Sequence, residues 1–354
     1  MKFSNLDKQQ QALLRSFGVT FDTTIQDIKP FISFIRPGHF KEIENKSACQ
    51  DIFKASIEMV EIEIFSYCNR RCGFCPNSFI DRISQNQYMP EKFYKNIIND
   101  LAKIRYNKKI SYSRYNEPLA DEIILERLRY ARRKLLDAVL HTNTNGDYLT
   151  YDYLEKLRGA GLNSLHIQAY AANNTYINEE IICLIDKKMK NLTLDYYWTA
   201  KDDDYVEAVA ELSGMKVIMY GKDFSVYGCD RGGLLDRKEK PRTSPCLFPF
   251  KYFYIDYNGS VVPCCNIRSD APEHHGFVIG NVNESSIFDI YASVAAARWR
   301  RDLFNFACKK GPCAKCAMAV YSYSWRNLVA LFKRKISLLK ADGMRHLNSI
   351  FTAL

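Results

Sequence analysis

Between residues 58 and 220, short apolar or β-branched runs alternate with longer amphipathic stretches, and this alternation constrains the fold most. The pattern predicts six strands, over residues 59–65, 110–115, 138–142, 164–169, 192–198 and 216–220. Helices are predicted between them, over residues 90–104, 120–136, 151–157, 177–189 and 203–212. Strands separated by helices indicate a parallel sheet with right-handed crossovers. The sequence therefore predicts an α/β fold with a partial, TIM-like (β/α)6 barrel, because a closed eight-unit barrel usually takes about 250 residues.

Changes of pattern along the 354 residues divide the chain into four predicted segments. Residues 1–55 are a helical N-terminal extension, and residues 56–225 form the partial barrel. Residues 226–320 are a linker followed by a small cysteine-rich domain, and residues 321–354 form a basic amphipathic C-terminal helix. Parallel sheets bind ligands at the carboxyl ends of their strands, so we expect the functional residues in the loops there.

Twelve cysteines stand in a chain that lacks a signal-peptide pattern and any run of 18 apolar residues. We therefore expect a cytoplasmic protein, in which cysteines serve as thiolate ligands of soft metals rather than as disulfides. Hydrophobic residues make up 47% and charged residues 25%, which excludes a mostly disordered chain. The net charge of +10 does not indicate a nucleic-acid partner, because no dense basic run marks a binding face.

The first cysteine group, Cys68, Cys72 and Cys75, has the spacing C-x3-C-x2-C and follows the first predicted strand. Three thiolates on one loop can hold three irons of a four-iron cluster and leave the fourth iron open for a substrate or cofactor. A zinc knuckle without its fourth ligand, or three unrelated cysteines, remains the alternative from spacing alone.

The second group comprises Cys246, Cys264, Cys313 and Cys316. The first two flank a predicted hairpin whose turn contains Gly259, and the last two form a C-x2-C pair further along the chain. Together they complete a four-sulfur site, and from their spacing zinc and an iron–sulfur cluster are both plausible.

The first group, with Phe74 before its third cysteine, resembles the signature of the radical S-adenosylmethionine (radical SAM) superfamily. The resemblance implies that Cys68, Cys72 and Cys75 bind a [4Fe-4S] cluster whose open iron is chelated by S-adenosylmethionine. One-electron reduction would then cleave the cofactor and release a 5′-deoxyadenosyl radical.

Other fragments at the strand ends are similar to further motifs of this family. Glu117-Pro118 resembles the Gly-Gly-Glu-Pro motif that contacts the methionine ammonium, although Tyr115 and Asn116 replace the two glycines. Asn145 lies in a segment similar to the family's Thr-Asn-Gly turn. Gln168 and Tyr170, after the fourth predicted strand, lie where ribose contacts are often made. The resemblance thus implies that Phe74, Glu117, Asn145, Gln168 and Tyr170 bind the cofactor.

The second group resembles the shortened SPASM domain, called a twitch domain, that follows many radical SAM barrels. The resemblance implies one auxiliary [4Fe-4S] cluster on the four cysteines of this group. Arg231, in the linker, is a candidate for orienting the substrate. Cys229 and Cys308 are candidates for a thiol that returns a hydrogen atom to the substrate, as some radical SAM epimerases require.

The function implied is a radical SAM enzyme that abstracts a substrate hydrogen, with the auxiliary cluster aiding electron transfer. The expected outcome is oxidation or epimerisation of a small alcohol or sugar, or modification of a peptide. Partners would be that small-molecule or peptide substrate and an electron donor of the flavodoxin or ferredoxin type. The alternative is a non-catalytic binding protein stabilised by zinc or iron–sulfur.

Overall fold

The computed structural model describes residues 32–171, 176–237, 239–318, 320–321 and 325–341. The helices predicted before residue 32 and the end of the C-terminal helix after residue 341 lie outside the described residues. The chain divides into two compact units. The sheet unit comprises Glu58–Gly228 and Tyr254–Ser260, and the C-terminal unit comprises Met1–Ile57, Cys229–Phe253 and Val261–Leu354. Within the described part of the chain, no helix is long and apolar enough to cross a membrane.

The described residues form a ten-stranded sheet, and seven of its strands lie wholly in the sheet unit, in the order β1-β2-β3-β4-β7-β6-β5. These strands are β1 (Met59–Ile62), β2 (Lys109–Ser111), β3 (Val139–Thr144), β4 (Ser164–Gln168), β5 (Tyr196–Asp202), β6 (Tyr205–Leu212) and β7 (Met215–Lys222). Strands β1, β2, β3, β4 and β7 pair in parallel, whereas β6 pairs antiparallel with both β7 and β5. The α/β class with a parallel sheet core is thereby confirmed.

Amphipathic helices separate the first five strands, and one short helix follows β7. Helix bounds in this order are α2 (Glu91–Lys103), α3 (Ile123–Lys134), α4 (Tyr151–Gly159), α5 (Asn178–Asn191) and the short α6 (Phe224–Tyr227). Helix α2 buries Tyr94, Ile97, Ile98 and Leu101, which lie on one face at helical spacing. Short 3-10 helices follow the cysteine loop at Pro76–Ser78 and follow Glu117 at Pro118–Ala120.

One predicted element is wrong: residues 203–212 form strand β6 rather than a helix. Glu, Ala and Leu in this segment favour a helix by propensity, but the turns at both ends decide otherwise. Ser213 and Gly214 connect β6 to β7 with positive φ angles of 47° and 83°, as a two-residue hairpin turn requires. Strand β7 therefore pairs with β4, and β5 lies at the edge of the sheet.

The C-terminal unit is built from helices and short strands. Among its described residues, the helices are α1 (Lys46–Ser56), α7 (Phe248–Lys251), α8 (Ile287–Ala292), α9 (Val294–Leu303) and α10 (Trp325–Ala341). The strands are β10 (Gly280–Asn281), the first half of β8 (Tyr252–Ile255) and the end of β9 (Ser260–Val262), because Tyr254–Ser260 belongs to the sheet unit. The described part of this unit also contains 3-10 helices at Pro37–His39, Pro272–Phe277 and Gly311–Cys313. Helix α10 packs Leu331 and Leu338 against Phe40, Phe250 and Phe304 in a buried cluster. The C-terminal helix is thus held by its apolar face.

Candidate functional site

Cys68, Cys72 and Cys75 lie on one loop after β1, as their spacing predicts. The Cys68 amide donates to the Arg82 carbonyl at 3.1 Å, and the Cys75 amide donates to the Cys72 carbonyl at 2.9 Å. Burial raises the pKa of Cys68 to about 12 and that of Cys72 to about 11, and the neighbouring cysteines act in the same direction. The three cysteines therefore share one loop, and their thiols bind metal only by losing their protons.

This loop provides only sulfur donors, the soft ligands that iron–sulfur clusters take. In the described ranges, no three His, Cys, Asp or Glu side chains are close enough to hold a single metal ion. That finding concerns one ion, whereas each cysteine of a four-iron cluster binds a different iron. The donor set of Cys68, Cys72 and Cys75 therefore fits a cluster with one iron left open.

Glu117 is buried beside this loop, and its carboxylate is held by residues from the end of β3. Oε1 accepts hydrogen bonds from Thr144 Oγ1 at 2.5 Å and from the Leu119 amide at 3.0 Å. Oε2 accepts one from the Asn145 amide at 2.8 Å. Burial raises the pKa of Glu117 despite these donors. The Glu117 amide in turn donates to the carbonyl of Tyr67 at 2.8 Å, next to the first cysteine.

Asp147, directly after the Thr-Asn-Gly turn, connects that turn to the cysteine loop. The Arg70 guanidinium binds it in bidentate fashion, at 2.7 Å and 2.6 Å, and Asn69 donates to it at 2.8 Å. Burial acts to raise the pKa of Asp147, but these hydrogen bonds outweigh it and the pKa lies below its ordinary value. Asn145 donates to Asn69 at 2.8 Å, and the guanidinium of Arg70 lies 4.8 Å from the ring centre of Tyr170.

Aromatic side chains stack at the same end of the sheet. The rings of Phe74 and Phe224 are parallel with their centres 3.4 Å apart, and the ring of Tyr170 stacks 5.6 Å from that of Phe74. Gln168 is buried and donates to the carbonyl of Ala169 at 3.2 Å. Phe74, Tyr170 and Phe224 thus form one aromatic stack, and Gln168 lies at the last position of β4.

The two residues that replace the family's glycines are fixed by their neighbours. Asn77 Nδ2 donates to the carbonyl of Tyr115 at 2.8 Å, and the Tyr115 amide donates to Glu63 Oε1 at 3.0 Å. The side-chain oxygen of Asn116 accepts from the Arg114 amide at 3.0 Å. The backbone before Glu117 is therefore held by side chains on both sides.

A buried ion-pair network within the sheet unit supports the same stretch. Arg114 Nε lies 2.6 Å from Asp256 Oδ1, and both side chains are at most 1% exposed. Arg82 Nη1 lies 3.0 Å from Glu63 Oε1, and this pair is buried as well. The guanidinium of Arg82 also lies 5.0 Å from the ring centre of Tyr257. Asp256 and Tyr257 belong to the hairpin tip Tyr254–Ser260, so a segment distant in sequence braces the loop that carries Glu117.

The second cysteine group also converges, within the C-terminal unit. Cys246, Cys264 and Cys313 contact one buried cluster with Phe248 and Leu303. Burial, followed by the other cysteines, raises the pKa of Cys313, and burial raises that of Cys316 to about 12. Cys264 has a raised pKa chiefly through a hydrogen bond with the adjacent Cys265. Four sulfur donors without a histidine fit an iron–sulfur cluster.

Of the three residues predicted to act on the substrate, Cys229 and Arg231 contact Asn266. Cys308 does not. Asn266 Oδ1 accepts from the Cys229 thiol at 3.3 Å and from Arg231 Nη1 at 3.5 Å. Asn266 Nδ2 lies 3.9 Å from Cys316 Sγ, so Cys229 and Arg231 lie one side chain away from a candidate ligand. Cys308 is exposed on the loop after α9, and none of these described contacts reaches it. The roles of all three residues stay predictions.

Sequence reasoning missed Asn69, Asp147, Phe224 and Asn266. Asp147 and Asn266 each lie within two residues of a predicted motif residue, and this proximity was the available signal. Phe224 offered none, because its stacking partner is 150 positions earlier in the chain.

Comparisons with known proteins agree with this geometry. The family model described as the radical SAM superfamily matches residues 62–225, and SPASM, an iron–sulfur cluster-binding domain, matches residues 246–317. An S-adenosyl-L-methionine-dependent 2-deoxy-scyllo-inosamine dehydrogenase from Niallia circulans is 24% identical over 249 residues, which cover 70% of this chain and 84% of the relative. The crystal structure of BtrN in complex with AdoMet and 2-DOIA superposes with a TM-score of 0.53 at 22% identity, covering 73% of this chain and 92% of that one.

Residues 62–225 therefore form a radical SAM domain, and residues 246–317 form an iron–sulfur cluster-binding SPASM domain. The protein is a radical SAM enzyme with a SPASM-type domain, and its cofactors are [4Fe-4S] clusters and S-adenosylmethionine. These findings favour the enzyme over the non-catalytic binding protein that was the alternative.

Proposed function

We propose that this enzyme is a dehydrogenase that oxidises a secondary alcohol of a small cyclic polyol or aminosugar to a ketone. Such an oxidation removes a hydrogen atom from carbon, a proton from the hydroxyl and one further electron. The observation that carries the proposal is the four-cysteine site of Cys246, Cys264, Cys313 and Cys316, because the last electron needs an acceptor. The relative from Niallia circulans is a dehydrogenase, which supports the same reaction class.

The cofactor site assigned to the sheet unit is built from residues described above. Cys68, Cys72 and Cys75 would hold the first cluster, which supplies when bound the electron that cleaves S-adenosylmethionine to the 5′-deoxyadenosyl radical. Glu117 faces this loop as a buried carboxylate and would bind the methionine ammonium by a charge-assisted hydrogen bond. Asn145 orients Glu117 through its amide.

The remaining cofactor contacts are assigned to the aromatic stack and the end of β4. Phe74 and Tyr170 are stacked rings that would exclude water from the adenosyl group. Gln168 lies at the last position of β4, within reach of a ribose at the carboxyl end of the sheet.

The linker residues are assigned to the substrate. Arg231 would bind substrate oxygens through its guanidinium, held by Asn266. A dehydrogenation returns no hydrogen atom to carbon, so neither Cys229 nor Cys308 is required as a donor in this reaction. A thiol requirement would instead indicate epimerisation, and for that reaction the buried Cys229 is the better candidate.

The reductant, the compartment and the domain limits are part of this proposal. A flavodoxin or ferredoxin of the cytoplasm would deliver the electron that starts each turnover. Residues 56–225 would form the radical SAM domain and residues 226–320 the linker and auxiliary domain, between the extension 1–55 and the helix 321–354.

The test is a product assay with the anaerobically reconstituted protein, S-adenosylmethionine and reduced flavodoxin. A panel of aminocyclitols, aminosugars and one short peptide is offered, and ketones are trapped as hydrazones for mass spectrometry. We expect one 5′-deoxyadenosine per ketone, with deuterium from the carbinol carbon carried into the 5′-deoxyadenosine.

The matched control is the Cys68→Ala, Cys72→Ala, Cys75→Ala variant, which should form neither product. Incorporation of deuterium from the solvent at the substrate carbon would indicate epimerisation. Modification of the peptide would indicate a peptide substrate. Either result would contradict the proposed dehydrogenation of a small alcohol.

A further inference from the structure

A buried arginine lies against the cysteines of the auxiliary site. Arg242 is 3% exposed, and its guanidinium donates to the carbonyl of Ser244 at 3.0 Å and to that of Cys316 at 3.3 Å. Its Nη1 also lies 3.9 Å from Cys316 Sγ. The Arg242 amide donates to the carbonyl of Ala314, inside the C-x2-C pair, at 2.7 Å. Both the backbone and the head group of Arg242 are therefore fixed to this site.

A second buried cation stands next to the first. Lys309 is 8% exposed, and its amide donates to the carbonyl of Arg242 at 2.9 Å. Its ammonium group donates to the carbonyl of Asn305 at 2.7 Å. Two like charges buried side by side repel each other, so the arrangement requires a compensating negative charge nearby.

The cysteines are the source of that negative charge. Arg242 contacts Cys316 directly, and Cys316 is one of the four cysteines assigned to the auxiliary cluster. As thiols these side chains are neutral. Four thiolates around a cluster core of charge +2 carry a net charge of −2, which becomes −3 on one-electron reduction.

We propose that Arg242 and Lys309 are buried counter-charges of the auxiliary cluster and set its reduction potential above the value that four cysteines alone would give. Nearby positive charge stabilises the more negative, reduced state, and low local dielectric makes the effect strong. The inference deepens the proposed function, in which this site accepts the last electron, but its test needs no substrate.

The test is a redox titration followed by electron paramagnetic resonance, in the Cys68→Ala, Cys72→Ala, Cys75→Ala background that leaves the auxiliary cluster alone. Arg242→Gln removes the charge and keeps donors, Arg242→Lys keeps the charge, and Lys309→Met removes the second cation. We expect Arg242→Gln to lower the equilibrium constant for reduction of the cluster at least tenfold. For one electron this lowers the reduction potential by about 59 mV. Lys309→Met should lower the potential in the same direction, and Arg242→Lys should stay close to the parent protein.

The matched control is Arg300→Gln. Arg300 is 1% exposed in the same unit and donates to the carbonyls of His39 and Pro249 at 3.1 Å and 3.3 Å. Its loss should reduce stability and leave the potential unchanged. If Arg242→Gln does not fold, Lys309→Met decides, because an unchanged potential in that variant overturns the proposal. Failure of the dehydrogenase assay alone would leave these potentials as predicted and would contradict only the proposed reaction.

Discussion

At the scale of single residues, burial and hydrogen bonding act in opposite directions on Glu117. Three donors favour its carboxylate, yet burial still raises its pKa. Burial makes the charged form of this carboxylate costly, and in the proposed function the ammonium of the cofactor would supply the missing attraction. The raised pKa of Glu117 therefore applies to the protein before the cofactor binds.

Replacing Glu117 by Gln should weaken the binding of S-adenosylmethionine by about thirtyfold or more. Removing one member of a desolvated charged pair costs about 2–5 kcal/mol, and each 1.4 kcal/mol is tenfold in affinity. Because the pKa of Glu117 lies above the ordinary 4.5, the native affinity should also begin to fall at a higher pH during acidification than for an ordinary glutamate. Titration through the spectroscopic signal of the cluster measures both effects.

The iron content of the Glu117→Gln variant is its internal control and should not change. Unchanged affinity would mean that Tyr115-Asn116-Glu117-Pro118 does not correspond to the family motif, and that another residue binds the ammonium.

Asp147→Asn should destabilise the protein without cofactors by about 1 kcal/mol at neutral pH, because the bidentate pair with Arg70 is about one third exposed. The pKa of Asp147 is lowered on folding, so this stabilisation is complete above the ordinary value of 3.8 and is lost as pH falls through the lowered one. Urea unfolding of both proteins at several pH values measures the difference. Asp137→Asn, at an exposed carboxylate, should show no such change, and equal stability at neutral pH would contradict the role of the pair.

At the scale of elements, the turns determine the topology at the edge of the sheet. Strand β6 has the composition of a helix, but it is bounded by Asp203-Asp204 and by Ser213-Gly214, which connect antiparallel neighbours. The positive φ of Gly214 is the condition for the second connection.

Gly214→Ala should therefore lower the free energy of unfolding by about 1–2 kcal/mol through backbone strain alone. A Cβ at this position would meet no atom within 4 Å, so no steric clash contributes. Gly159→Ala, in helix α4, has the same open surroundings without the positive φ and should be neutral or slightly stabilising. Thermal unfolding of the two variants compares them, and equal losses would argue against the turn.

The site residues that are close together in the sequence could be predicted, whereas contacts between distant residues could be predicted only in part. Cys68, Cys72 and Cys75 form a local pattern on one loop, so their convergence could be predicted. The contact of Glu117 with Thr144 joins two strand ends, and it followed only from the expectation that parallel strands end together. Arg242 carried no local signal, because its surroundings come from a segment 74 positions later. The prediction of a helix at β6 was wrong because it relied on helix propensity, whereas the turns at both ends of the segment determine its structure.

At the scale of the molecule, the proposed function assigns different steps of the reaction to the two cysteine sites. The sheet unit carries the residues that begin the radical chemistry, and the C-terminal unit carries the second cysteine group. Loss of the second group should therefore leave the cleavage of S-adenosylmethionine intact and impair the later removal of the last electron from the substrate.

Replacing Cys313 and Cys316 by Ser should reduce the iron content from about eight to about four per chain. Cleavage of S-adenosylmethionine should continue without matching ketone formation, and the melting temperature should fall because metal binding contributes to folding. Iron analysis and the ratio of 5′-deoxyadenosine to product measure these effects. Cys183→Ser, at an exposed cysteine of α5, is the control, and full coupling in the double variant would contradict the electron-acceptor role.

The hairpin tip Tyr254–Ser260 has a consequence for dissecting or recombining this protein. The tip belongs to the same compact unit as Glu58–Gly228. Its Asp256 pairs with the buried Arg114, and its Ile255 carbonyl accepts a hydrogen bond from the Glu63 amide at 2.9 Å. A gene fragment that stops at residue 228 would leave Arg114 inside without this carboxylate. The two units are therefore interleaved along the gene, and exchange of the C-terminal segment between relatives would have to carry a matching hairpin with it.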